Sequence, residues 1–132
     1  MPANAVIEAF VAAVEAGRFV EAIETYYAPN ASMRENEDAP RVGMTALVEN
    51  EKRVLSIFPV IKARRTGPVM VSGDRVAINW AFDFERADGA KVRLEEIAWQ
   101  RWSGDKIAEE RFFYNPAQLQ AAVPAAEVPA GG

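Results

Sequence analysis

The stretch Leu94–Pro116, LEEIAWQRWSGDKIAEERFFYNP, decides the fold. Two runs rich in aromatic and β-branched residues flank Ser103-Gly104-Asp105, a turn cluster, so the segment reads as a long β-hairpin. Glu95, Glu96, Glu109 and Glu110 lie inside those runs, among residues that would normally line a core. A carboxylate on a buried strand face is costly unless it is paired, hydrogen-bonded or protonated. The four acids therefore mark either the wet side of a sheet or the chemistry of a pocket.

Working upstream, Val60–Arg65, Val69–Ser72, Arg75–Glu85, Lys91–Trp102 and Lys106–Tyr114 are all β-rich. Their short separators (Gly67-Pro68, Ser72-Gly73-Asp74, Ala87-Asp88-Gly89 and the turn above) favour an antiparallel meander over crossovers. The first half is helical by period. Asn4 is a candidate N-cap for a helix to about Ala16, with Val6, Ile7, Phe10, Val11 and Val14 at helical spacing and Gly17 as its stop. A second helix runs from about Phe19 to Tyr27, and Ala28-Pro29-Asn30 acts as a breaker. A short strand from Ala31 to Arg34 leads into the polar loop Glu35–Pro40. Gly43 to Phe58 is a third helix, ended by Pro59. Helices first and strands last give an α+β class, a cone-shaped curved antiparallel sheet wrapped on N-terminal helices. Residues 1–116 form the single domain, and 117–132 an Ala/Pro-rich tail expected on the surface or against a neighbour.

A chain of 132 residues is one domain's worth. The net charge of −4 argues against nucleic acid as a partner, and the basic run Lys62–Arg65 is too short to reverse that. The chain has no cysteine and no histidine, which removes thiol nucleophiles, thiolate metal sites and the commonest metal ligand and general base. No metal and no cofactor is expected, and acid–base work falls to Asp, Glu, Tyr, Lys or Arg. MPANAVIEAF lacks the basic and apolar regions of a secretory signal, and no segment approaches membrane-spanning length. The expectation is a cytoplasmic protein with no membrane partner.

The segments FVAAVEAGRFVEAIETYYAPNAS (Phe10–Ser32), Arg41-Val42-Gly43 and WQRWSGDKIAEERFFYNP (Trp99–Pro116) resemble the SnoaL-like group of the nuclear transport factor 2-like (cystatin-like cone) fold. That group includes polyketide cyclases and relatives of ketosteroid isomerase. The resemblance implies a catalytic carboxylate at Glu35, after the short strand. It places Phe10 and Ala98 where isomerases carry their two oxyanion donors, so steroid-isomerase chemistry is disfavoured. Asn115 stands where the family has an acidic residue, and the cyclase histidine has no counterpart.

Period-2 alternation then sorts the strands into faces. The even set, Val76 to Phe84, Val92 to Trp102 and Ala108 to Tyr114, faces the cone interior, making Glu96, Gln100, Glu110 and Tyr114 polar points in an apolar wall. The odd set, including Ile107, faces outward. Ile97, Trp99 and Phe113 there are too apolar for a plain solvated face, and the resemblance implies a homodimer formed sheet to sheet through them. The candidate catalytic residues are Glu35, Glu96 and Glu110. The candidate substrate-binding residues are Tyr26, Trp80, Phe82, Gln100, Phe112, Tyr114 and Asn115. One of Tyr26 and Tyr27 is expected in the core and the other at the cavity mouth.

These assignments imply a cofactor-independent isomerase, cyclase or hydratase acting on a hydrophobic small molecule by carboxylate acid–base chemistry. The alternative is a non-catalytic ligand-binding or dimerisation module, in which Glu96 and Glu110 each pair with an arginine such as Arg34, Arg53 or Arg64. An open cavity with converging glutamates favours catalysis, and a filled cone with each glutamate salt-bridged would sink it.

Overall fold

The computed structural model describes residues 1–119. Helices α1 (Asn4–Glu15) and α2 (Phe19–Tyr26) are followed by strands β1 (Tyr27–Glu35) and β2 (Arg41–Val42), then helix α3 (Met44–Ile57). Strands β3 (Val60–Arg65), β4 (Met70–Ser72), β5 (Arg75–Glu85), β6 (Lys91–Ser103) and β7 (Lys106–Phe113) complete the sheet, and a short 3-10 helix spans Pro116–Leu119. The seven-stranded sheet has the order β2-β1-β7-β6-β5-β3, with β4 on β5, and it is antiparallel except where β1 meets β7. This is the expected α+β cone. No helix among the described residues is long and apolar enough to cross a membrane.

The helical stripe of α1 buries Ile7, Phe10, Val11 and Val14, as its spacing dictates. Asn4 is inside the helix, however, and Ala3 occupies the cap. Helix α3 starts behind Gly43, whose φ of +96° is open to glycine and strained for other residues. Its amide donates to Ala31 O at 2.8 Å, so the turn that launches α3 is fastened to β1.

Strand β1 departs from the expected short strand and breaker. It starts at Tyr27 and runs through Ala28-Pro29-Asn30, because a register shift between Tyr27 and Ser32 leaves that segment outside the ladder. Proline lacks an amide to donate, and an irregularity of this kind is where a strand tolerates it. The strand is long because it pairs in parallel with β7, a contact between residues about eighty positions apart that no local pattern announces. The two-residue strand β2 was not expected either; it pairs Met33 with Arg41.

Parity holds without exception in β6 from Lys91 to Gln100, where even residues are buried and odd ones exposed. It fails at the start of β7. Arg101 pairs with Glu109 and Trp102 with Ile107, so Ala108 is an extra residue and the face reverses there. Ile107 is therefore fully buried instead of facing outward. Trp102 stands beside it in the core, its ring edge-on to Phe10 at 6.1 Å, and Phe10 meets Tyr27 edge-on at the same spacing.

The tail beyond Leu119 lies outside the described residues. Gln118, which precedes those residues, folds back on β6: Glu95 N donates to Gln118 Oε1 at 2.9 Å, and Gln118 Nε2 returns a bond to Glu95 O at 3.1 Å.

The bulge has a direct stability test. Ile107→Ala should cost about 2–5 kcal/mol by denaturant unfolding, the range for emptying a buried aliphatic site. Ile57→Ala, half exposed at the end of α3, should cost about 0.5 kcal/mol or less. Equal costs would place the two isoleucines in equivalent surroundings and contradict the bulge.

Candidate functional site

The cone encloses a cavity of about 230 Å³, bounded by the sheet, α1, α2 and α3. Its volume is just under the usual range for small-ligand pockets. Trp80, Phe82 and Phe84 project into it from β5, with ring spacings of 5.9 and 5.7 Å, and Phe112 faces them from β7. A wider depression of about 570 Å³ lies over β3, β5 and β6, but its Arg93 and Asp83 are already joined by a salt bridge and its position is open to solvent.

Glu110 is the fixed point. It is 3% exposed, and both oxygens are occupied. The Tyr27 hydroxyl donates to Oε1, and Gln100 Nε2 donates to Oε2 at 2.6 Å. Gln100 Oε1 in turn accepts from Trp102 Nε1 at 2.9 Å. The parallel register of β1 on β7 brings Tyr27 to this position, and the Gln100–Glu110 pairing of the hairpin brings the amide. Burial raises the Glu110 carboxyl to about 7, and its bonds from Gln100 and Tyr27 restrain the rise. Burial and the Glu110 charge hold the Tyr27 hydroxyl well above its ordinary value, so it remains a donor.

Glu96, opposite Trp80 in the register, is 8% exposed and lines the same cavity. It has no hydrogen-bond or ion-pair partner among the described residues. Burial, then the negative charges of Glu110, Glu35 and Glu51, push it up to about 8. Arg34 bonds Asp38 O at 2.8 Å, Arg53 bonds Asn50, and none of Arg34, Arg53 and Arg64 reaches Glu96 or Glu110. The structural pairing considered for these two acids is absent among the described residues.

Glu35 closes β1 at the cavity edge and pairs with Arg41, which β2 sets beside it. Asn36 follows in a left-handed conformation, φ 49°, which asparagine tolerates better than most residues. Its amide donates to Phe112 O at 2.8 Å and its Oδ1 accepts from Tyr114 N at 3.0 Å. The clamp holds Glu35 and Tyr114 at one rim. Tyr114 is half-buried, and burial followed by the Glu35 charge pushes its hydroxyl up to about 12.

Thus Glu35, Glu96, Glu110, Trp80, Phe82, Phe112 and Tyr114 meet around one cavity. Three candidates do not. Gln100 is fully buried behind Glu110 and acts through it. Tyr26 packs edge-on against Phe10 at 5.7 Å, outside the lining; Tyr27, a residue on, has turned into the strand and takes the cavity. Asn115 is exposed and caps the 3-10 helix through Ala117 N at 3.0 Å. Glu51 was missed. It lies on the apolar stripe of α3 with Leu47, Val54 and Phe58, and that spacing was the available signal. Burial and the Glu35 charge raise its carboxyl.

The raised Glu96 carboxyl gives a sign to the pH dependence of stability. Its folded value of about 8 exceeds the ordinary 4.5, so its contribution is complete below 4.5 and is lost as pH rises to about 8. Wild-type Tm should fall across that window more than the Tm of Glu96→Gln. Parallel curves would show that Glu96 is not held protonated.

The family model for the SnoaL-like domain matches residues 7–110. A search of curated proteins gave no match. Among solved structures, a Catenulispora acidiphila protein with a ketosteroid isomerase-like fold, in complex with trimethylamine, is 19% identical with a TM-score of 0.77, covering 96% of this chain and 98% of that one. An NTF2-like protein of Burkholderia pseudomallei is 11% identical with a TM-score of 0.77, covering 91% and 95%. A Mesorhizobium loti protein provisionally assigned as a SnoaL-like polyketide cyclase is 25% identical with a TM-score of 0.69, covering 83% and 96%.

Proposed function

The chain belongs to the SnoaL-like domain family, and from that premise we propose that it binds a small, largely apolar molecule in the cone and moves a proton on it. One observation carries the reading: Glu110 is buried against the cavity, locked by Tyr27 and Gln100, and raised to about 7. A base titrating near neutral pH is half ionised where it works and strong enough to take a proton from carbon. Tyr114, kept protonated at the rim, is the hydroxyl that supports charge developing on the substrate oxygen. Trp80, Phe82 and Phe112 supply the apolar clamp. Isomerisation, cyclisation and dehydration all need this pair of a fixed base and an opposed donor. Glu35, tied to Arg41, is the weaker candidate for the base.

5-Nitrobenzisoxazole tests the base without knowledge of the natural substrate, because its ring opens on loss of one carbon-bound proton. The protein should accelerate that opening with a midpoint near pH 7. Glu110→Gln should lower the rate by about 10²–10⁴-fold. Tyr27→Phe should move the midpoint upward, since a donor to the carboxylate is lost. A wild-type rate no greater than that of acetate buffer would favour the non-catalytic binding module.

The outer face supports a second element of the reading, a homodimer through Ile97, Trp99 and Phe113. These residues are 47%, 42% and 42% exposed, and Ile97 pairs directly with Phe113. The Arg75 guanidinium lies 5.6 Å from the Trp99 ring centre and that of Arg111 4.5 Å from the Phe113 ring centre, and both rings stay partly exposed beside these cations. Sedimentation should show a dimer for the wild type and a monomer for Trp99→Glu. A wild-type monomer at about 100 μM, a concentration well above that at which a micromolar complex forms, would remove the dimer.

A further inference from the structure

Charge and aromatic surface are distributed around the cavity in a way that proton transfer alone does not require. Among the described residues lining it, four are glutamates (Glu35, Glu51, Glu96 and Glu110) and none is cationic. Arg41 offsets Glu35, and Gln100 and Tyr27 satisfy Glu110. Glu96 is left without a partner although it is more than nine-tenths buried. Among the described residues no fully enclosed side-chain oxygen or nitrogen lacks a hydrogen bond, so the unbonded Glu96 oxygens open into the cavity they line. The protein gives an ionised Glu96 no partner, so in the empty cavity a proton answers its charge, and a cationic ligand group can take that proton's place.

The walls specify what kind of group. The Trp80 ring stands on the strand opposite Glu96, with Phe82 at 5.9 Å beside it. Aromatic faces carry negative quadrupole density and attract cations, most strongly where water is excluded. A metal ion does not fit this arrangement, because the described residues contain no group of three or more acidic ligands gathered to hold one. A carboxylate or phosphate ligand would meet four acids. A neutral hydrocarbon would leave Glu96 unanswered.

We propose that the ligand is a small organic cation, an alkylated ammonium group seated against Glu96 with its alkyl surface on the Trp80 and Phe82 rings. The proposal rests on the reading of the cavity as a ligand site and names the class of molecule it takes. On binding, the ammonium charge replaces the proton that Glu96 carries in the empty cavity, so that proton leaves to solvent. Glu110 remains the base and Tyr114 the donor. A positive charge beside a carbon acid also stabilises the carbanion left when Glu110 takes the proton.

Choline and its uncharged isostere 3,3-dimethylbutan-1-ol share shape and differ in charge, and both suit calorimetric titration of the full chain. Choline should bind about tenfold or more tightly than the alcohol, as expected for a desolvated cation on aromatic and carboxylate partners. Glu96→Gln should abolish that preference while leaving the affinity for the alcohol within about twofold. Glu51→Gln, on the α3 wall, gives the same comparison in a second background should Glu96→Gln melt too early, with a smaller loss for choline. Equal binding of the two probes would overturn the cation assignment and leave the cavity a ligand site. Binding of the alcohol alone would do the same. Binding of neither would overturn both the cation and the ligand-site reading.

Discussion

The structure turns on the desolvation of one carboxylate. Placing Glu110 inside the cone removes water that would stabilise its charge, and every element near it supplies part of the replacement. The sheet order matters because only the parallel union of β1 with β7 carries Tyr27 to Glu110. The hairpin register matters because Gln100 must lie opposite it. Hydrogen bonds to a charged group contribute about 1.5–3 kcal/mol each, so two of them offset a substantial share of the cost of burial. The remainder is expressed as a carboxyl that titrates near neutrality.

Glu96 is the counterpart without that support. It shares the strand of Gln100 and the face of the same wall, and its surroundings offer an aromatic ring where Glu110 has donors. Two carboxyls of one type, on adjacent strands, are thus both raised by burial, one with hydrogen-bond donors that restrain the rise and the other beside like charges that add to it.

Local pattern made the antiparallel half of the fold legible. β3 and β5 match the runs Val60–Arg65 and Arg75–Glu85 to the residue, and alternation along β6 correctly sent Glu96 inward and Glu95 outward. Alternation also sent Glu110 inward, since the face reversal at Ala108 lies before it. The same bulge defeated the assignment of Ile107, because an inserted residue leaves no mark on composition. Tyr26 was chosen over Tyr27 for a related reason. Helical period continues smoothly through both, while the chain changes to strand between them under the pull of β7. Gln100 was placed on the right face but one layer too far forward, and depth behind a neighbour is not a periodic property. Glu51 was readable in the α3 stripe, four residues after Leu47 and three before Val54, where an acid interrupts an apolar face.

The Trp102 indole gives the polar chain a direction. An indole nitrogen only donates, so Gln100 must turn its oxygen toward Trp102 and its amino group toward Glu110. The amide is thereby wired one way round, and it has no acceptor to offer the carboxyl. A proton arriving on the Glu110 oxygen that faces Gln100 finds no path back through the sheet. On that side Glu110 meets a donor only, an orientation set by a tryptophan that stands outside the cavity lining.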